Sequence, residues 1–180
     1  MASNILSLDS YDTLFADFIQ SKLNLQANQV LISYPVKGQK SSVINEDVCY
    51  VHTENVDNEI SILKNRREKY NLTTGKNDVQ QASIRILRLH LIFYGPNSDI
   101  LATKLNEYMY FESSKQFLND NNLNLIPAST TLSDKIHEKI NERWWDRNDL
   151  DLYFYNEIHV DESLDIFVSS NIVTHNNLED

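Results

Sequence analysis

Apolar residues near the start of the chain recur with a helical step. Tyr11, Leu14, Phe15, Phe18, Ile19 and Leu23 follow spacings of three and four, with Lys22 beside them. Such spacing gathers them on one face of an amphipathic helix. The pattern predicts a helix over 9–24, capped by Asp9 or Ser10. Gln29 to Tyr34 then reads as a short strand ended by Pro35, and the polar, Gly-containing run 35–46 as a loop. The β-branched and aromatic run 47–53 (DVCYVHT) predicts a strand, which 59–63 either extends or follows with another. Residues 70–78 (YNLTTGKND) predict the tip of a long hairpin arm covering about 55–80.

From Gln80 to Tyr94 the period becomes two. Leu87, Leu89, Leu91 and Phe93 take the odd positions, and Arg88 and His90 take even ones. This is a strand with one buried face. Ile84, Ile86 and Ile92 fall on the other set and predict partial cover of the second face. Gly95-Pro96 ends the strand, and Asn97 or Ser98 caps a helix with the stripe Leu101, Leu105, Tyr108, Met109 and Glu112. A second turn or helix follows over 114–119, a short strand over 123–126 and a polar helical turn over 133–140. Residues 142–160 read as one long extended segment. In it Leu150, Leu152 and Phe154 face one way, and Asp151, Tyr153 and Tyr155 the other. A last strand is expected over 165–173, then a flexible tail over 174–180. Strands come in neighbouring pairs rather than alternating with helices. That order predicts an α+β fold: a mostly antiparallel sheet, helices on one face, and a hairpin arm. No repeat or linker divides the chain, so one domain over 1–180 is expected. A chain of this size buries roughly 70% of its unfolded surface and needs no disulfide or metal to fold.

Charge narrows the choice of partners. The net charge is −10, and the only basic cluster is 64–69 (KNRREK). Nucleic-acid binders draw most of their non-specific affinity from Lys and Arg on phosphates. An acidic chain without a basic stripe is a poor DNA clamp, and the cluster reads as a solvated hairpin arm. Cys49 is the only cysteine. It reads as a small buried hydrophobe in a reducing compartment. The N-terminus lacks a basic region followed by an apolar core, and no apolar run approaches the ~20 residues of a membrane span. Asn71-Leu72-Thr73 matches a glycosylation acceptor, a weak signal without a secretion signal.

Catalytic and cofactor signatures are absent. Three glycines leave no phosphate-cradling loop, and no Gly-x-Ser-x-Gly elbow occurs. A single Cys excludes cysteine-based zinc knuckles, and His159-Val160-Asp161 offers only two ligands. No cofactor and no metal are expected. The most serious enzymatic alternative is a metal-dependent nuclease using Asp146, Asp149, Asp151 and His159. No Glu is followed two residues later by Lys, as a common nuclease arrangement requires, and the acids read better as a charged outer face. Trp144, Trp145, Tyr153, Phe154 and Tyr155 crowd one segment. Tyr and Trp among charged neighbours suit protein contact, although cover on both faces would make them core.

Two segments together carry a family resemblance. One is the strand-turn-helix RLHLIFYGPNSDILATKL (Arg88 to Leu105); the other is INERWWDRNDLDLYFYNE (Ile140 to Glu157). In that order and spacing they resemble the neck/tail-terminator family of tailed bacteriophages, with Tyr94-Gly95, Asn97-Ser98 and Trp144 to Arg147 at the matching positions. The leading helix and the strand containing Gln81 agree more loosely, and the resemblance spans 8–160. It implies a structural virion protein of small α+β type, without catalytic residues. Such a protein forms a ring, usually of six copies, that terminates the tail tube and joins it to the head connector. The implied partners are a second copy, the tail tube protein and the connector proteins. DNA passes through the lumen without specific binding, and acidic walls suit that passage. The implied location is the virion neck, after assembly in the host cytoplasm. Ring closure needs two different matching surfaces on each subunit. Arg66, Arg67 and Lys69 on the arm, with Trp145, Tyr153 and Tyr155 on the aromatic segment, are the candidate contact residues. A monomeric protein-binding adaptor using the same acidic, aromatic surface is the remaining alternative.

Overall fold

The computed structural model describes residues 6–33, 46–56, 63–140 and 142–164. In chain order these form α1 (Leu8–Leu23), β1 (Val30–Ile32), β2 (Val48–Val56), β3 (Leu63–Asn71), β4 (Lys76–Tyr94), α2 (Ser98–Tyr108), α3 (Glu112–Asp120), β5 (Leu123–Leu125), β6 (Thr131–Leu132), β7 (Ile136–Ile140) and β8 (Arg143–Leu164). The architecture is α+β: helices with a mostly antiparallel sheet.

Two long strands make the frame. β4 and β8 pair antiparallel without a break in register, from Asn77↔Leu164 to Tyr94↔Arg147. Shorter strands attach end to end along their outer edges. β2 lies against 86–94 of β4, and β3 against 76–83. β5, β6 and β7 follow one another along β8. β1 extends the sheet beyond β2 in parallel.

Because side chains alternate across a strand, the unbroken register sends one set of residues to one face. Leu87, Leu89, Leu91 and Phe93 of β4 meet Leu150, Leu152 and Phe154 of β8, all at most 1% exposed. Tyr11, Phe15 and Ile19 of α1, with Ala102, Leu105 and Met109 of α2, close over them. Phe15 stacks on Phe154 with ring centroids 5.2 Å apart, and Phe18 stacks on Phe117 of α3 at 4.2 Å. Each such side chain removed from water contributes roughly 1.5–3 kcal/mol. Cys49 sits fully buried in this layer as a free thiol, and burial pushes its pKa up.

Polar groups finish the edges. β1 stops opposite Val51, and beyond its end the Thr53 N–H donates to the buried Asp12 carboxylate at 2.5 Å. Ser98 and Asn148, both buried, hydrogen-bond at 3.0 Å and tie α2 to β8. The corner between β4 and α2 depends on Gly95, which has φ +120°. A Cβ there would lie 2.6–2.8 Å from Asp47 and the Glu46 carbonyl. The Asp47 carboxylate accepts both the backbone N–H and the side-chain amide of Asn97, at 2.9 and 2.8 Å.

Several expectations change. The predicted helical turn at 133–140 is a strand, β7, paired with β8 from Ile136↔Arg147 to Ile140↔Arg143. Ile136 and Ile140 carry a helical spacing, but an isolated turn is marginal while β8 offers a full set of backbone partners. Cross-strand pairs His137–Asp146 at 2.8 Å and Glu138–Arg147 at 3.3 Å reinforce that choice. Ser7 caps α1 in place of Asp9 or Ser10, its hydroxyl accepting the Ser10 N–H at 3.2 Å. Asn97 occupies the cap position of α2, but its side chain is spent on Asp47. Glu112 opens α3 and is exposed, so it leaves the α2 stripe. Ile84, Ile86 and Ile92 are partly buried, in line with the expected partial cover of the second face. The hairpin tip narrows to 72–75. Residues 35–45 of the expected loop, 59–62 of the expected strand extension, 165–173 and 174–180 lie outside the described residues.

Gly95→Ala is expected to cost at least ~2 kcal/mol, from positive φ plus a backbone clash. Gly75→Ala, at φ +68° with open space around it, is expected to cost about 1 kcal/mol. Urea unfolding of the two variants checks this, and equal midpoints would refute the account of the corner.

Candidate functional site

The same alternation that fills the core lines up a second set of residues on the helix-free face. Tyr50, His52 and Glu54 come from β2, and Arg88, His90, Ile92 and Tyr94 from β4. β8 adds Trp145, Arg147, Asp149, Asp151, Tyr153 and Tyr155.

Charges there are clamped to one another. Arg88 donates to both carboxylate oxygens of Asp151, at 3.1 and 2.9 Å, and to Glu54 at 2.8 Å. His90 Nδ1 lies 2.6 Å from Asp151. Arg147 makes a second two-pronged clamp on Asp149, at 2.7 and 2.8 Å, and reaches Glu138 at 3.3 Å. Tyr94 donates to Glu138 at 2.8 Å, and burial followed by that carboxylate pushes its phenol up to about 12. Two-pronged guanidinium–carboxylate pairs fix geometry as well as charge. Burial pushes the Asp151 carboxyl up, but hydrogen bonds from Arg88 and His90 outweigh it and leave the pKa below the ordinary value. Trp145 lies edge-on to Tyr94, with centroids 6.0 Å apart.

The candidate contact residues fall in two groups. Trp145, Tyr153 and Tyr155 share the helix-free face and are half-buried. They are strung along β8, so Trp145 and Tyr155 lie roughly 33 Å apart by strand rise. Arg66, Arg67 and Lys69 stand on β3, far from Trp145 and nearer the Tyr155 end, opposite Gln81, Gln80 and Asp78. All three are exposed, and Arg66 pairs with Glu68 at 2.6 Å. Strand alternation puts Arg67 and Lys69 on one side of the arm and Arg66 on the other.

A family model of the phage neck terminator protein matches residues 28–177. The chain belongs to that family. No curated protein matches it. A neck terminator has a structural role in the virion and associates there with other phage head and tail proteins. No described helix of this terminator is long and apolar enough to cross a membrane.

The acidic residues of the nuclease alternative do not converge in this neck terminator. Lys135 and His137 hold Asp146, Arg147 holds Asp149, and Arg88 with His90 holds Asp151. The Lys135 hydrogen bond is the largest influence holding the Asp146 carboxyl below its ordinary range. His159 sits eight residues beyond Asp151, roughly 27 Å along β8. Among the described residues no group of three or more His, Cys, Asp or Glu could hold a metal ion. The sequence carries a signal for one clamp, because Arg147 and Asp149 stand two apart and so share a strand face. The other depends on the β4–β8 register, which brings Arg88 and His90 to Asp151.

Asp151→Asn is expected to destabilise the terminator by about 2 kcal/mol at neutral pH. That is less than the ~3–5 kcal/mol of a fully buried pair, because Arg88 keeps Glu54 and partial exposure. A depressed folded-state pKa means the stabilisation is present above the ordinary carboxylate pKa of about 3.9 and lost as pH falls through the folded value. Chemical denaturation across pH checks this. Wild type and variant should converge in acid, and a constant gap would refute the assignment.

Proposed function

We propose that this neck terminator closes into a homo-oligomeric ring, of six copies in the manner of its family, on the end of the completed tail tube. The ring joins the tube to the head connector. The observation that carries this reading is the family match over 28–177. The protein assembles in the host cytoplasm, carries no catalytic step, and lets DNA pass without specific binding. The net charge of −10 supports that passage, because like charge keeps phosphate from adhering to the wall.

The arm and the helix-free face supply contacts to neighbours. β3 presents Arg66, Arg67 and Lys69 to solvent on a strand paired on one side only among the described residues. Such an edge suits an acidic partner surface. Trp145, Tyr153 and Tyr155 lie on a face whose charges are already paired, so it can be covered at little desolvation cost to free ions.

Imaging purified tail tubes by electron microscopy after mixing with the protein tests the reading. Wild type is expected to cap tube ends. Arg66→Glu with Arg67→Glu should lose capping while keeping a native circular-dichroism spectrum. Normal capping by the double variant removes the arm from the interface. Wild type that never caps tubes, and is missing from virions by mass spectrometry, sinks the terminator reading.

A further inference from the structure

Two apolar features on the helix side are left unfilled by the described residues. The first is Trp144. It stands on the part of β8 that projects past the end of β4, and it is 69% exposed. A large aromatic left in water on a hairpin is the kind of side chain that dominates protein interfaces. The second is a groove of about 260 Å³ between α3 and β5, lined by Met109, Leu118, Leu123, Leu125 and Pro127. It falls below the ~300–1,000 Å³ typical of small-molecule sites, which suits one inserted side chain better than a ligand. Tyr110 and Phe111 beside it are 41% and 56% exposed and widen the apolar patch.

One subunit cannot bring the two together. β5 is hydrogen-bonded to 154–156 of β8, so the groove is fixed to the same strand that carries Trp144. Along that strand the separation is roughly 35 Å. A Trp144 seated in the groove must therefore come from another molecule. Charge favours a second copy: Lys139 opposes Trp144 across the hairpin and Arg143 adjoins it, both exposed, against one exposed acid nearby, Glu142. Beside the groove the exposed acids Glu107, Glu112 and Asp120 outnumber Lys115, which lines it and pairs with Glu112 at 3.8 Å.

We infer that Trp144 of each subunit inserts into the α3–β5 groove of the next copy, forming the lateral contact of the ring. The knob and the groove are different surfaces, so the contact is head-to-tail, the kind that closes into a ring when the rotation between copies closes. This inference rests on the ring reading above and adds to it which surfaces meet.

Two variants test it. Trp144→Ala removes the knob at an exposed position. Asn119→Trp, at an exposed α3 position lining the groove, fills the socket from within. Each alone is expected to weaken self-association by on the order of 30-fold or more. Mixed, they should stop at dimers in analytical ultracentrifugation, since one supplies only a socket and the other only a knob. Benzoylphenylalanine in place of Trp144 should photo-crosslink to 109–127 of a second copy, in solution or on tube ends. Rings that persist in either variant, or crosslinks elsewhere, overturn the knob-in-groove contact and leave the ring reading standing. Wild type that forms no ring and gives no crosslink between copies, even on tube ends, overturns both.

Discussion

The β4–β8 pairing is the constraint on which the remaining structure depends. Both strands run far beyond the usual five or six residues, and their register does not slip. In a two-faced strand, a slip of one residue would exchange the faces. Here it would carry Leu87, Leu89, Leu91 and Phe93 into water and bring Arg88 and His90 under the helices. The apolar layer and the clamp network therefore enforce the same register from opposite sides. Every other strand in the sheet takes its place against one of these two, except β1, which rests on β2.

The length of the frame also separates tasks. Helices cover only the stretch where β4 and β8 are apolar on one face. Beyond that stretch the strands continue as a three-stranded arm at one end, through β3, and as the β7–β8 hairpin at the other. Among the described residues this bar with a hydrophobic centre sets the arm and the hairpin far apart. The family's structural role in the virion suits such a build, since position in an assembly matters more than a catalytic pocket.

Much of this was legible in the sequence because hydrophobic period carries it. The period of two over 87–93 and 150–154 places the core strands, and the helical step over 11–23 places α1. What stayed hidden was non-local. Ile136 and Ile140 satisfy either period over so short a run, and only the partner strand decides between them. Asp151 reads as solvated until β4 brings Arg88 and His90 against it, whereas Asp149 is held by Arg147, two residues earlier on its own strand. Ser7 lost out to its neighbours as a cap because Ser and Asp crowd the same four positions. The exposure of Trp144 was not visible, since an aromatic cluster reads alike as core or surface. The family resemblance rested on Tyr94-Gly95 and the tryptophan strand. The first of these is a corner in which no residue with a side chain fits.

Cys49 has a consequence for watching the molecule move. It is the only sulfhydryl, it lies fully under α1 between Val30 and Phe93 in the sheet, and burial disfavours its thiolate. Only the thiolate reacts with alkylating reagents. Modification must therefore wait for the β1–β2 edge to part. The labelling rate becomes a clock for local opening at the sheet edge, built into the native chain without an introduced probe.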